Sequence, residues 1–228
     1  MKMNQKISKF VPEIKGTLRS KMIDVPQLIR SASGIKVFGK RLKSFIFTTD
    51  IAVIKNNNAD AIMAVYPFTP QPVITEVLVS ASDVPVFCGV GGGLTMGKRV
   101  VNLALDAEFK GAMGVVVNSP TSNEVIQAMR DSVDIPIIVT VVSENDDIKG
   151  RIESGTTIFN VAAGSRTAEV VRKIRESYAD FPIIATGGKN EESMRETIEA
   201  GANAISYTPP STGELFKDTM TKYRDMAR

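Results

Sequence analysis

The chain repeats a short apolar phrase at regular intervals. Asp, an apolar residue, Pro and two further apolar residues occur in this order at 83–87, 134–138 and 180–184, a spacing of 46 to 51 residues. A Pro at the first residue of a strand removes a hydrogen-bond donor only where pairing begins, and continuous apolar residues suit a strand that is buried on both faces. The repeat therefore predicts buried, parallel strands.

A second phrase lies between these copies and marks further strands. It begins with Gly or Ala and continues with small and apolar residues, as in Gly111-Ala-Met-Gly-Val and Gly201-Ala-Asn-Ala-Ile. A Gly at this place is typical of a helix C-terminus, where left-handed backbone precedes the next strand. Together the phrases predict eight strands, at 44–49, 60–66, 85–89, 112–118, 135–141, 156–161, 181–186 and 203–207.

Helical patterns follow these strands. Thr121 stands three positions before Glu124, as in a capping box, and Val125, Ile126 and Met129 then form one apolar stripe. Strand and helix alternate throughout, which predicts an α/β fold. Eight parallel strands with right-handed crossovers close into a (β/α)8 TIM barrel. A doubly wound open sheet has the same alternation, but a repeat that continues through the final unit favours the ring.

The length of 228 residues suits one large domain. We expect a single (β/α)8 barrel domain over 1–228, with eight βα units in 44–228 and an N-terminal helical extension in 1–43. Within the extension, 25–34 resembles a short helix that stops at Gly34. The extension is expected to plug the N-terminal mouth of the barrel or to contact another subunit of a homo-oligomer.

The composition narrows the chemistry. The sequence contains no His and one Cys, so it has no imidazole general base, no Ser-His-Asp triad, no His-ligated metal and no internal disulfide. We therefore expect no metal ion at the site. The net charge of +3 is spread along the chain, which argues against a nucleic-acid partner.

The N-terminus lacks the pattern of a signal peptide, and no run of apolar residues is long enough to span a membrane. A single Cys is compatible with a reducing compartment. A cytoplasmic protein without a membrane partner is the expectation.

Ligands of TIM barrels bind at the C-terminal ends of the strands. Asp50 is the one carboxylate directly at a predicted strand end, so it is the first candidate for a general acid or base, although Asp is also a preferred helix cap. Cys88 and Tyr207 are further catalytic candidates. For both, core packing is the alternative interpretation, and Cys88 has no His to activate it.

Other strand ends carry uncharged polar side chains. Candidates for substrate binding are Tyr66, Asn118, Thr140 and Asn160. Asn side chains are costly to bury without partners, so we expect Asn118 and Asn160 to contact a ligand or each other.

The segment from Ile183 to Ile205, with Thr186-Gly-Gly-Lys189 near its start, resembles the seventh and eighth units of phosphate-binding TIM barrels. That superfamily includes ribulose-phosphate-type isomerases and epimerases, tryptophan- and thiamine-pathway barrels and flavin-mononucleotide (FMN) barrels. The resemblance implies a phosphate held by main-chain amides, and such glycines and helix starts do favour anions. The candidate phosphate-binding residues are Gly164, Gly187, Gly188, Lys189, Thr208, Ser211 and Thr212.

The sequence departs from this superfamily at Thr208-Pro-Pro210, where a Gly-rich turn is usual. Proline has no N–H, so the second half of the phosphate site would come from 211–213. Metal-dependent epimerases of the ribulose-phosphate kind use His ligands that are absent here. A Schiff-base aldolase needs a Lys inside the barrel, which the predicted strands lack unless the first strand starts at Ile35 and places Lys36 inside.

The glycine-rich segment 89–99 has the spacing of a nucleotide-binding P-loop from Gly92 to Lys98, but Arg99 stands where a Ser or Thr should bind magnesium. A mobile loop over the barrel mouth is the preferred interpretation.

These features predict a metabolic enzyme, an isomerase, lyase or hydrolase, that acts on a small phosphorylated metabolite without a cofactor. An FMN-binding oxidoreductase and a non-catalytic barrel that binds a phosphometabolite are the alternatives.

Overall fold

The computed structural model describes residues 12–14, 16–17, 22–188 and 190–226. From residue 44 onward, strands and helices alternate along the chain. The strands are β1 Ile35–Val37, β2 Lys40–Leu42, β3 Ser44–Phe47, β4 Ala61–Ala64, β5 Val86–Gly91, β6 Gly114–Val117, β7 Ile137–Val141, β8 Ile158–Val161, β9 Ile183–Thr186 and β10 Ala204–Tyr207. The helices are α1 Ile51–Lys55, α2 Pro72–Ala81, α3 Lys98–Phe109, α4 Asn123–Arg130, α5 Ile148–Glu153, α6 Thr167–Ser177, α7 Glu191–Glu199 and α8 Thr212–Met226.

Strands β3 to β10 form a closed barrel. Each strand pairs in parallel with the next strand of the chain, and β10 pairs with β3 to close the ring, for example through Ser206 beside Phe45. All eight strands lie within or overlap the predicted segments. The prediction of an α/β TIM barrel is confirmed.

Alternate residues of the barrel strands point into the ring, where they form a cluster separate from the layer between strands and helices. Phe45 and Phe87 meet edge to face in this interior, with ring centroids 5.2 Å apart. A Cβ at Gly114 would lie 2.6 Å from the Phe87 ring, so only Gly fits opposite it. The lower interior is filled with apolar side chains, and ligand chemistry is therefore confined to the C-terminal mouth.

The N-terminal extension contains a feature that the sequence did not predict. β1 and β2 form an antiparallel hairpin, and its apolar residues Ile35, Val37 and Leu42 join the cluster inside the barrel. The hairpin thus plugs the N-terminal mouth. Lys36 is exposed on the hairpin, so it is no candidate for an internal Schiff base.

The predicted helix at 25–34 is a short 3-10 helix, Gln27–Ser31. It lies against α7, and its Ile29 is fully buried in the layer outside the strands. An ion pair of 3.0 Å joins Arg30 to Asp60, which precedes β4. The extension therefore covers the outside of the barrel beside its first strands as well as its lower end.

Helix α8 stands apart from this packing. Among the described residues, none in α8 is buried. Phe216, Tyr223 and Met226 are more than half exposed. The 3-10 helix of the extension, rather than α8, supplies the buried cover against α7.

One predicted cap is wrong by one position. Helix α4 has Ser122 as its N-cap, and the hydroxyl of Thr121 is buried without a partner among the described residues.

No helix in the described part of the chain is long and apolar enough to cross a lipid bilayer.

Candidate functional site

The upper mouth of the barrel has a polar side. Four consecutive strands, β7 to β10, each present one uncharged polar residue toward the ring: Thr140, Asn160, Thr186 and Ser206. Along each strand, the sequence neighbours of these residues belong to the outer layer. Because successive side chains of a strand point to opposite faces, the four polar residues point into the ring. We call these four residues the polar arc. Thr186 stands at a strand end that the sequence predicts, without an assigned role, and Ser206 was not predicted, although alternation along β9 and β10 marks both.

Asn160 is the buried centre of the polar arc. Its side chain is 8% exposed, and its Nδ2 donates to the hydroxyl of Thr140 over 3.4 Å. Its Oδ1 has no hydrogen-bond partner in the described part of the chain. Leaving a buried acceptor unpaired costs about 1–3 kcal/mol, so this oxygen is available to an N–H or O–H donor of a ligand.

The other side of the mouth is apolar. Met63, Val65 and Val116 line the ring there, and the Sδ of Met63 lies 3.9 Å from the Ser206 hydroxyl, where the two sides meet. Beyond them, a cavity of about 190 Å³ opens between the loops that follow β4 and β5.

Tyr66 and Asn118 lie at this cavity rather than in the polar arc. The Tyr66 hydroxyl accepts a hydrogen bond from the Gln71 amide over 3.0 Å. The Asn118 Nδ2 donates to the Gly92 carbonyl over 3.2 Å. Asn118 is therefore partnered by the glycine-rich loop, and the structure separates it from Asn160.

The glycine-rich loop after β5 folds back on itself. Gly92 has a φ of +92°, and a Cβ there would lie 2.6 Å from the Asn118 amide nitrogen. The Gly92 amide donates to the Thr95 carbonyl over 3.0 Å. Lys98 is the first residue of α3 and does not line the cavity. The loop thus forms one wall of the mouth.

Asp50 lies at the end of β3 and links two helix starts. As the N-cap of α1, it accepts from the Ala52 amide over 2.8 Å and from the Val53 amide over 3.3 Å. It also accepts a hydrogen bond from the Thr212 hydroxyl at the start of α8. The Thr212 hydrogen bond lowers the pKa of Asp50 most; burial acts in the opposite direction, and the two amides add to the lowering. Asp50 is therefore a carboxylate at neutral pH.

Cys88 and Tyr207 do not face the mouth. Cys88 is 2% exposed and belongs to the layer between strands and helices. Burial raises the pKa of its thiol to about 12, so it is not a thiolate near neutrality. Tyr207 packs against the same outer layer. Both side chains are on the faces opposite to the ring interior, and we do not retain them as catalytic candidates.

The loops after β8 and β9 carry the glycines expected to bind phosphate. Gly187 is buried and its amide donates to the Ser206 carbonyl over 3.1 Å. Gly188 is exposed, with a φ of +77°. Gly164, on the neighbouring loop, has a φ of +64° and open space where a Cβ would be. Lys189 lies outside the described residues.

The start of α8 is already occupied by carboxylates. Ser211 donates to Glu214 through its amide over 2.8 Å and through its hydroxyl over 2.7 Å, which lowers the pKa of Glu214. Thr212 is bound to Asp50. Two negative charges at these groups repel a phosphate, so the structure does not support Ser211 and Thr212 as phosphate ligands.

Thr208 is exposed and Pro209 and Pro210 separate it from α8. The Ser-x-x-Glu pattern at 211–214 was visible in the sequence, and a capping box would have been the better interpretation of it.

The geometry defines the class of protein: a TIM barrel whose mouth combines a polar arc, an apolar cavity and two glycine-bearing loops. Comparisons with known proteins agree with the fold. A phosphonomutase structure from Burkholderia cenocepacia superposes with a TM-score of 0.59 and 14% identity, over 81% of this chain and 91% of the other. A 2,3-dimethylmalate lyase superposes with a TM-score of 0.60 and 12% identity, over 88% and 81%.

Two comparisons concern thiamine-pathway proteins. A thiamine phosphate pyrophosphorylase structure from Pyrococcus furiosus superposes with a TM-score of 0.53 and 19% identity, over 72% of this chain and 83% of the other. The sequence of thiamine-phosphate synthase from Staphylococcus saprophyticus is 38% identical over 56 residues, which is 24% of this chain and 26% of that protein. The match spans about a quarter of each protein. No protein-family model matches the sequence.

Proposed function

We propose that the protein is a metabolic enzyme that acts on a small phosphorylated substrate at the C-terminal mouth of the barrel. The fold neighbours include a phosphonomutase, a lyase and a thiamine-pathway enzyme, which supports a metabolic role. The observation that carries the proposal is the buried, unpaired Oδ1 of Asn160 at the mouth. Native proteins pair buried polar atoms, and an exception in a cleft favours a ligand-binding role.

We propose that the phosphate group binds at the loops after β8 and β9. Gly164 has open space where a Cβ would be, whereas Gly188 is exposed but leaves no room for a Cβ, which would clash with the Ser193 side chain. Their positive φ values allow main-chain amides to approach an anion closely. Lys189 follows directly in the sequence and is proposed to balance phosphate charge. Arg166 already forms an ion pair of 2.7 Å with Glu144, so we do not assign it to the phosphate.

The polar arc is proposed to orient the reacting part of the substrate. Asn160 Oδ1 accepts from a substrate hydroxyl or amine, and Thr140 holds the Asn160 amide in place. Asp50, which is ionised and fixed by Thr212, is proposed as a general base or as electrostatic support rather than as an acid. An isomerase, lyase or hydrolase reaction fits these groups.

We propose a reaction in which the protein's own side chains hold no metal ion. The sequence lacks His, and the described residues contain no cluster of three or more side chains suited to a metal.

The experiment is a substrate screen with matched pairs. Purified protein is incubated with phosphorylated metabolites and with their dephosphorylated counterparts, and mass spectrometry follows their loss. Consumption of a phosphorylated compound by the wild type, with none by Asn160→Leu, supports the proposal.

Thr156→Val is the matched control for this screen. The Thr156 hydroxyl is also buried and unpaired within the described chain, but it precedes β8 at the opposite end of the barrel. Thr156→Val should keep full turnover. Consumption of dephosphorylated compounds alone, or turnover that Asn160→Leu leaves unchanged, would contradict the proposal.

A further inference from the structure

The cavity between the loops that follow β4 and β5 has no charged lining residue among the described residues. Its wall on one side includes Val65, Pro67 and Phe68, and on the other side Leu94. The polar side chains present, such as Tyr66 and Asn118, already have hydrogen-bond partners in the loops themselves. With no charged residue in its lining, the cavity suits an uncharged, apolar group.

Two of these lining residues are unusually exposed for apolar side chains. Phe68 is 74% exposed and Leu94 is 101% exposed, and they rim the cavity from opposite loops. Exposed apolar side chains that border a concave site are typical of ligand-contact surfaces. They gain burial only when something apolar enters between them.

Glycines keep the floor of the cavity open. A Cβ at Gly89 would lie 3.2 Å from Val65 Cγ1, and one at Gly91 would lie 2.5 Å from Val100 Cγ2. A side chain at Gly89 would press on Val65, which lines the cavity, and one at Gly91 would clash with Val100 in the layer between strands and helices, so both positions border the cavity with main chain. This arrangement keeps a void of about 190 Å³ beside a closely packed barrel.

The cavity and the glycine loops lie on opposite sides of the mouth. β5 and β9 are separated by three strands in either direction around the ring. Asn160 on β8 and Thr140 on β7 stand between the two regions on one side. A molecule that reaches from Gly188 to the cavity passes over the polar arc and its unpaired acceptor.

We propose that the mouth recognises a phosphate monoester with three parts: the phosphate, a central hydroxyl or amine that donates to Asn160, and an uncharged apolar group, such as an aromatic ring, that lies between Phe68 and Leu94. The phosphate end rests on the proposed function. The apolar end rests on the cavity alone. The proposed substrate class is thereby narrowed from small phosphorylated metabolites to phosphate monoesters with an apolar end.

Calorimetric titration with three sets of probes tests the proposal. The probes are ω-phenylalkyl phosphates of increasing linker length, alkyl phosphates with the same linkers, and ω-phenylalkanols that lack phosphate. Burial of the phenyl group should improve affinity roughly ten- to a hundredfold at one range of linker lengths. The improvement should disappear in Phe68→Ala and in Leu94→Ala, which alter exposed side chains and leave the core intact.

Phe109→Ala is the matched control. Phe109 is 78% exposed, but it ends α3 and does not line the cavity, so this variant should keep the improvement. The proposal is overturned if phenylalkyl and alkyl phosphates bind equally at every linker length, or if the improvement survives both mouth substitutions.

The probes separate this proposal from the proposed function. Phosphates that bind without any gain from the phenyl group would refute the apolar end and leave the phosphate site standing. Phenylalkanols that bind in a manner dependent on Phe68 and Leu94, while alkyl phosphates do not bind, would support the cavity and refute the phosphate site. Absence of binding by every probe would refute both.

Discussion

Replacing Asn160 with Leu should stabilise the ligand-free protein while it abolishes substrate binding. Asn160 is 8% exposed and its Oδ1 has no partner in the described chain. An unpaired buried acceptor costs about 1–3 kcal/mol, and a weak hydrogen bond such as the one of 3.4 Å to Thr140 contributes at most about 1 kcal/mol. We therefore expect the free energy of unfolding to rise by about 1–2 kcal/mol.

The assay is equilibrium unfolding in urea. The chain contains no Trp, so far-UV circular dichroism should follow the transition, with an unchanged m-value as evidence that both states keep their compactness. Thr156→Val removes a second buried, unpaired hydroxyl at the other end of the barrel. It should raise stability by about 1 kcal/mol without any effect on binding.

A loss of more than about 1 kcal/mol in Asn160→Leu would refute the reasoning, because it would mean that the Asn160 side chain is well paired in solution. A gain in stability with undiminished binding would refute the assigned role of Asn160, because its unpaired oxygen would then have no part in binding. Stability that is given up at a ligand site is a common trade-off in enzymes.

Three further predictions concern the scaffold. Ile29→Ala should cost about 3 kcal/mol in urea unfolding, because Ile29 is fully buried outside the barrel, whereas Phe216→Ala on exposed α8 should change stability by less than about 0.5 kcal/mol; equal losses would show that α8 packs on the barrel. Burial raises the pKa of Asp60, but hydrogen bonds from the Lys43 and Ser44 amides, the Ser44 side chain and the positive charge of Arg30 together outweigh it, so its folded pKa is lowered. Its contribution to stability is therefore present above the unfolded pKa and is lost as the pH falls through the folded pKa. In Asp60→Asn, the free energy of unfolding should fall less steeply with decreasing pH than in the wild type. The Cys88 thiol, with its pKa raised by burial to about 12, should react with iodoacetamide at mildly alkaline pH only after unfolding, and prompt labelling of the native protein would contradict its burial.

The barrel was predictable because its signal is repeated. Each copy of the apolar phrase marks the entrance of a buried strand, and parallel strands need helical crossovers. The hairpin β1–β2 gave no comparable signal. Its turn has positive φ at both Phe38 and Gly39, a conformation for which Asn-Gly is the usual signature, so the sequence concealed it.

The site was predictable in position and less so in detail. The strand ends were located to within a few residues, but the face of a side chain changes with each residue along a strand. Cys88 lies in the middle of β5 rather than at its end, Tyr207 ends β10 as predicted, and both side chains face the helices. The commitment of Thr212 to Asp50 joins residues 162 positions apart, and no local pattern encodes such a contact.

The central claim is that amides after β8 and β9 bind the phosphate of the substrate. Nuclear magnetic resonance of the ¹⁵N-labelled protein, titrated with glycerol phosphate, tests it most directly. The account predicts that the amide signals of Gly164 and Gly188 shift together along one saturating curve, while that of Gly213, at the carboxylate-capped start of α8, stays in place. Shifts centred on Gly213, or none that saturate at Gly164 and Gly188, would contradict it.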